Sequence, residues 1–165
     1  MPGCAPCTTA CGSSDSMDVR IREATEADLE QILEIYRDAG IEMHGKQSLE
    51  SARAVFRKMG TYPNYKLYVA AMDGRVSGTF ALLIMDNLAN GGLPSGVLED
   101  VAVLRSCQGK GIGKAMMQSA LRTCRDSKCY KMVLSSNTAR TGAHKFYESL
   151  GFVRHGFSFR VDLSP

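Results

Sequence analysis

From Val19 onward, apolar and polar residues alternate in two rhythms, one of two residues and one of three to four. Val19, Ile21 and Glu23 open with a short strand-like alternation. Thr25-Glu26-Ala27-Asp28 then reads as a helix start, with Thr25 as N-cap and an acid three positions on. Leu29, Ile32, Leu33 and Tyr36 recur at helical spacing until Gly40 stops the run. Ala52, Val55, Phe56 and Met59 mark one face of a second helix over residues 48–59. Two strand-like runs, 67–72 and 76–84, flank Asp73-Gly74, a strong two-residue hairpin signal. Asn90-Gly91-Gly92-Leu93-Pro94 is a loop, 97–104 a strand, and 112–125 a helix with Ala115, Met116, Ser119, Ala120 and Cys124 inward. Residues 132–135 are strand-like and 142–150 a short helix. Phe157, Phe159, Val161 and Leu163 alternate with polar residues and predict a last strand. Together these elements predict an α/β domain in layers, with helices covering a mostly antiparallel sheet.

The chain has 165 residues, 44% hydrophobic and 22% charged, enough to bury one core. Its longest apolar run, Phe80 to Met85, is far short of the roughly 20 residues of a membrane helix. A membrane partner is therefore not expected. Residues 1–16 stand apart: they are rich in Cys, Pro, Gly, Ser and Thr, without the basic and apolar regions of a signal peptide. They read as a disordered extension, with 17–165 as a single domain. Cys4, Cys7 and Cys11 have no nearby fourth ligand, so no metal is expected. Cys107, Cys124 and Cys129 read as free thiols of a cytoplasmic protein.

Net charge is only +3, too little to argue for nucleic acid, but it is unevenly spread. Arg105, Lys110, Lys114, Arg122, Arg125, Lys128 and Lys131 face one acid, Asp126, within one stretch. That stretch carries +6 and the remainder −3. A local basic patch of this kind suits a small polyanion. Inside it, Gln108-Gly109-Lys110-Gly111-Ile112-Gly113-Lys114 follows a strand and opens a helix. Alternate glycines let backbone N–H groups approach a phosphate at the positive end of the helix. The loop is no Walker motif, because Gln108 and Ala115 occupy the positions of its first glycine and its Ser or Thr. Nor does it complete a dinucleotide fingerprint, which needs a third glycine where Lys114 or Met116 stands.

Gln108, Gly111 and Gly113 at a strand-to-helix junction resemble the acetyl-CoA pyrophosphate loop of the GNAT superfamily of N-acetyltransferases. Downstream, Ala143-His144-Lys145-Phe146-Tyr147-Glu148-Ser149-Leu150-Gly151-Phe152 resembles that superfamily's Ala-x-x-Phe-Tyr-x-x-x-Gly-Phe segment. The resemblance implies a six- to seven-stranded, mostly antiparallel sheet with splayed central strands and about four helices. It further implies that acetyl-CoA is co-substrate. Val101, Ala102 and Val103 would pair with its pantetheine arm. Gln108, Gly109, Lys110, Gly111, Ile112, Gly113 and Lys114 would hold the pyrophosphate, and Asn137 and Tyr147 would face the thioester. Leu98-Glu99-Asp100-Val101 and Cys129-Tyr130-Lys131 look like glucosamine-6-phosphate N-acetyltransferases. Leu134-Ser135, Asn137, Arg140, Ala143-His144, Phe146-Tyr147, Phe157 and Phe159 are similar to aminoalkylphosphonate N-acetyltransferases. Both subfamilies acetylate small anionic amines.

Acetyl transfer sets its own requirements. An alkyl amine, with a pKa near ~10, must lose a proton before attacking a thioester, and the departing thiolate needs a donor. The resemblance gives the donor role to Tyr147. Glu99 and Asp100 are the candidate bases, with Glu99 preferred; adjacent strand residues point to opposite faces unless a bulge intervenes. A water chain is the alternative base, and His144 and His155 are weaker candidates. Direct transfer to a small-molecule amine, in a chain able to form a homodimer, is the expected function. A protein lysine or N-terminal acetyltransferase and a non-catalytic acetyl-CoA-binding module are the alternatives. Residues 41–59 and the loop 86–96 are expected to shape the acceptor pocket.

Overall fold

The structure, a computed structural model, describes residues 18–41 and 47–163. The Cys-bearing extension read at 1–16 lies outside the described residues. Strands β1 (Arg20–Glu23), β2 (Tyr65–Met72), β3 (Arg75–Met85), β4 (Ser95–Val103) and β5 (Lys131–Leu134) form one sheet in chain order. The first three pairings are antiparallel and β4 with β5 is parallel. Helices α1 (Leu29–Ala39), α2 (Leu49–Met59), α3 (Ile112–Asp126) and α4 (Thr141–Ser149) complete the α/β architecture.

Local chemistry explains the joints. Asp73 and Gly74 both take positive φ (52° and 77°), the geometry that a two-residue hairpin matched to strand twist demands. Gly40 ends α1 in the left-handed region at φ 65° and ψ 34°. Asp28, at the start of α1, accepts from the Thr25 N–H at 2.7 Å and from both terminal nitrogens of Arg22 at 2.7 Å, tying β1 to α1.

The sheet is buried on both faces. Leu29, Ile32 and Ile35 of α1 pack with Val69, Ala81 and Ala102 on one side. Ile112, Met116, Met117 and Ala120 of α3 pack with Ala70, Phe80, Leu82 and Leu98 on the other. This is why β2 and β3 read as nearly continuous apolar runs instead of a clean alternation. Among the described residues no helix is long and apolar enough to cross a membrane.

One expected strand is absent. Residues 157–163 form no strand, so the sheet has five strands where six to seven were expected. Phe157 and Phe159 are each 92% exposed, and Val161 and Leu163 are 78% and 85% exposed. A strand needs a neighbouring ladder as well as a two-residue rhythm, and in this chain the segment has the rhythm alone.

Candidate active site

The ladder between β4 and β5 runs only from Ser95 opposite Lys131 to Leu98 opposite Leu134. Beyond it β4 continues through Glu99 to Val103 while β5 ends. The two strands therefore part, and a cleft of about 380 Å³ opens at the gap. Leu98, Glu99, Asp100 and Val101 line one wall; Leu134, Ser135, Ser136 and Asn137 line the other. Arg140, Ala143 and Tyr147 of the α4 region, Ile41 after α1, and Arg160 complete it.

Both candidate carboxylates reach this cleft because β4 is bulged. Thr79 pairs with Ala102 and Ala81 with Glu99, so three steps on β4 oppose two on β3. Asp100 absorbs the extra residue at φ 52°, a conformation a non-glycine residue rarely adopts. In an even strand one of the two would have pointed away. Both side chains remain open to solvent, yet the surrounding walls displace enough water to raise both carboxyls above their ordinary values. The charge of Asp100 raises Glu99 further. Burial, with Asp100 adding repulsion, likewise raises the phenols of Tyr36 and Tyr65. Negative charge in this corner, whether on a carboxylate or a phenolate, is disfavoured.

The glycine loop lies between β4 and α3. A 3₁₀ turn at Arg105–Cys107 leads into it, and the Gln108 side-chain amide donates to the Val103 carbonyl at 3.3 Å, fastening the loop to the strand. Gly109 and Gly111 take φ of 77° and 82°, and a Cβ at either would meet open space. Gly111 is the N-cap of α3, and its carbonyl accepts the N–H of Ala115 at 3.0 Å. The N–H groups of Ile112, Gly113 and Lys114 therefore have no partner within the helix. An open concavity of glycine backbone at the positive end of a 15-residue helix fits a pyrophosphate. Gly113 has a different reason for being glycine: a Cβ there would lie 3.1 Å from Cζ of Phe146. Its bare backbone makes room for the ring and lets α3 and α4 meet.

Phe146 thus fixes α4, and Tyr147 beside it faces the cleft. The Tyr147 ring lies 5.3 Å from that of Phe146 and 5.7 Å, edge-on, from that of Phe152. Burial raises its phenol above the ordinary value, with Arg140 working against the shift, so the hydroxyl keeps its proton at neutral pH. Asn137 organises the turn before α4. Its Oδ1 accepts from the Ala139 N–H at 2.9 Å and its carbonyl from the Arg140 N–H at 2.9 Å; His144 Nε2 lies 3.0 Å from the same carbonyl.

The structure gathers Glu99, Asp100, Val101, Asn137 and Tyr147 around one cleft. Ala102, by contrast, is buried against α1. The loop 86–96 does not line the cleft, because it precedes β4 while the strands part at that strand's middle. Two cations that sequence reasoning did not assign, Arg140 and Arg160, do line it. Arg160 was hidden in a segment read as a strand. Among the described residues no group of His, Cys, Asp and Glu could hold a metal ion.

A parted β4–β5 pair, a glycine loop opening α3 and a tyrosine on the following helix define an acyltransferase of the acetyl-transferring class. Residues 29–152 match the Acetyltransferase (GNAT) family, and the chain belongs to it. It is an N-acetyltransferase, of a family whose co-substrate is acetyl-CoA. A glucosamine 6-phosphate N-acetyltransferase of Trypanosoma brucei brucei is 31% identical over 150 residues, spanning 91% of this chain and 99% of that protein. A putative acetyltransferase structure from Agrobacterium tumefaciens superposes with a TM-score of 0.80 at 30% identity, covering 87% of this chain and 99% of its own. The glucosamine-6-phosphate N-acetyltransferase structure from Arabidopsis thaliana, at 20% identity and a TM-score of 0.78 over 89% and 99%, shares the fold.

Proposed function

We propose that this chain acetylates the primary amine of a small anionic acceptor by direct transfer from acetyl-CoA. The observation that carries this reading is the bulge at Asp100, which turns two adjacent carboxylates into the cleft that Tyr147 also lines. Acetyl-CoA would supply an activated acyl carbon and a thiolate leaving group. Backbone N–H groups from Gln108 to Lys114 hold its pyrophosphate, and the β4 backbone at Val101–Val103, which has no ladder toward β5, pairs with its amide arm. Glu99 takes the proton of the acceptor ammonium, with Asp100 beside it. Desolvation moves the carboxyl toward the amine and makes it a stronger base than an ordinary carboxylate. Tyr147, kept neutral by burial, donates its phenolic proton to the departing sulfur.

Arg140 and Arg160 at the same cleft favour an acceptor that carries a negative charge. The relatives named as glucosamine 6-phosphate N-acetyltransferases support an amino sugar phosphate as the first candidate. We further read residues 17–165 as one acetyltransferase domain working in the cytoplasm. A thiol-release assay with acetyl-CoA and a panel of amines tests the reading. Glucosamine 6-phosphate and aminoalkylphosphonates should be turned over well, and glucosamine and a lysine peptide poorly. Equal or better turnover of the peptide would overturn the small-acceptor reading. Release with none of the amines would overturn it in favour of a binding module.

A further inference from the structure

We propose that Cys124 and Cys129 are a redox site, a thiol pair that a small-molecule disulfide such as oxidised glutathione converts to a reversible internal bridge. The bridge staples the end of α3 to the start of β5.

α3 ends in a turn set by one residue. Lys128 takes φ 57°, in the left-handed region. Its N–H donates to the Arg125 carbonyl at 2.9 Å, and the Cys129 N–H donates to the Cys124 carbonyl at 2.8 Å. Two such bonds around a left-handed residue close a helix, and they bring the side chains of the outer pair into contact. In this chain both outer positions are cysteine.

The backbone limits how far apart the two can be. Standard bond lengths put a Cα about 2.4 Å from its own carbonyl oxygen and about 1.5 Å from its own nitrogen. With the 2.8 Å hydrogen bond between them, the two Cα atoms are at most about 6.7 Å apart. A disulfide spans Cα separations of roughly 4.4–6.8 Å. The thiols also interact directly, through a hydrogen bond between them. Both are free, and both pack on the α3 side of the sheet. Cys124 is buried, its sulfur against the bare backbone of Gly96, whereas Cys129 is half-buried and open to a reagent. Cys107, the other described cysteine, lies before the opposite end of α3 and does not compete.

The exchange balances in two steps. Cys129 loses its proton to solvent and attacks one sulfur of the reagent; that S–S bond breaks, and one glutathione thiolate leaves and is protonated. Cys124, likewise deprotonated, attacks the Cys129 sulfur and expels the second glutathione. Two protein thiols are oxidised, and the reagent is reduced to two thiols. Burial pushes the Cys124 thiol up to about 12 and raises that of Cys129 as well. Such thiols attack slowly and depart poorly, so the bridge forms slowly and then persists. It is a staple and not a fast sensor. It also stands clear of the cleft, since the glycine loop is at the other end of α3 and Ser135 to Asn137 follow the far end of β5.

Trypsin cuts around both cysteines, after Arg122, Arg125, Lys128 and Lys131. The bridge is therefore read by mass spectrometry as Thr123-Cys124-Arg125 joined to Cys129-Tyr130-Lys131. The full chain equilibrated with oxidised glutathione should give this pair as the main product of the two cysteines. Its Tm should rise by ~5 °C, the effect of closing so short a loop in a chain of this length. Dithiothreitol should reverse both changes. Cys129→Ala, at a half-exposed position, should fold and show neither. Glutathione adducts in place of the pair, both thiols left free, or a bridge from either to another cysteine would overturn the proposal. So would a bridge without a rise in Tm, or an equal rise in Cys129→Ala.

Discussion

Replacing Asp28 by Asn removes one negative charge from a nearly isosteric side chain at the base of the fold. Asp28 is buried, with its side chain 7% exposed, and accepts four hydrogen bonds. Two come from the Arg22 guanidinium at 2.7 Å each, one from the Thr25 N–H at 2.7 Å and one from the Thr25 hydroxyl at 2.9 Å. The Arg22 bonds, opposed by burial and helped by Thr25, lower its carboxyl from 3.8 to about 2. At about 1.4 kcal/mol per pKa unit that shift is worth about 2 kcal/mol of folding stability. An Asn amide turned toward Arg22 would set donor against donor, so the loss is not smaller than this. For a chain of this length the expected fall in Tm is roughly 5 °C or more. The folded pKa lies below the unfolded one. The contribution is therefore complete above pH ~4, and it disappears as the pH falls through the folded value near 2. Urea unfolding of both proteins, at pH 7 and again near pH 2.5, measures it. A difference under ~0.5 kcal/mol at pH 7, or one as large at pH 2.5 as at pH 7, would refute the reasoning.

Further expectations concern the site. Tyr147→Phe keeps the ring packed on Phe146 and Phe152 but removes the donated proton; kcat should drop roughly 10²-fold in steady-state kinetics while acetyl-CoA affinity by calorimetry holds. Unchanged turnover would leave Tyr147 a packing residue. A base works only when ionised, so kcat/KM should decline as pH falls through the raised carboxyl value, with a midpoint above the ordinary ~4.3 of glutamate. Glu99→Gln should abolish that limb of the pH profile, and a surviving limb would move the base elsewhere. Gly113→Val forces methyl groups onto a ring already 3.1 Å from the Cβ position, costing about 2 kcal/mol in urea unfolding; adding Phe146→Ala should restore part of the loss in Gly113→Val relative to Phe146→Ala alone. Undiminished stability with weakened acetyl-CoA binding would show that Gly113 serves the anion instead.

What could be read from the sequence were features decided by near neighbours. The Asp73-Gly74 turn, the Gly40 stop and the apolar stripes of α1 and α3 follow from local φ/ψ preference and period, which a few consecutive residues specify. The glycine loop was legible for the same reason, since its backbone freedom and its place before a helix are both local. Features set by distant pairing were not. Whether Glu99 and Asp100 share a face depends on how β4 slips against β3, and the bulge that settles it leaves no mark in the Leu98-Glu99-Asp100-Val101 run itself. Gly113 read as an approach point for an anion, while the group that needs the space is the ring of Phe146, thirty-three positions away and brought near only when α3 and α4 pack. Residues 157–163 show the converse. Their alternation expresses strand propensity faithfully, but pairing requires a free sheet edge within reach, and among the described residues no edge is laid against them. By itself, then, the sequence determined the helices, the hairpin and the loop chemistry, but not the last strand, because the former depend on residues adjacent along the chain and a strand also needs a paired edge. The tertiary structure alone decided which side chains meet in the cleft, because strand register, the parting of β4 from β5 and helix contact join residues that the chain keeps far apart.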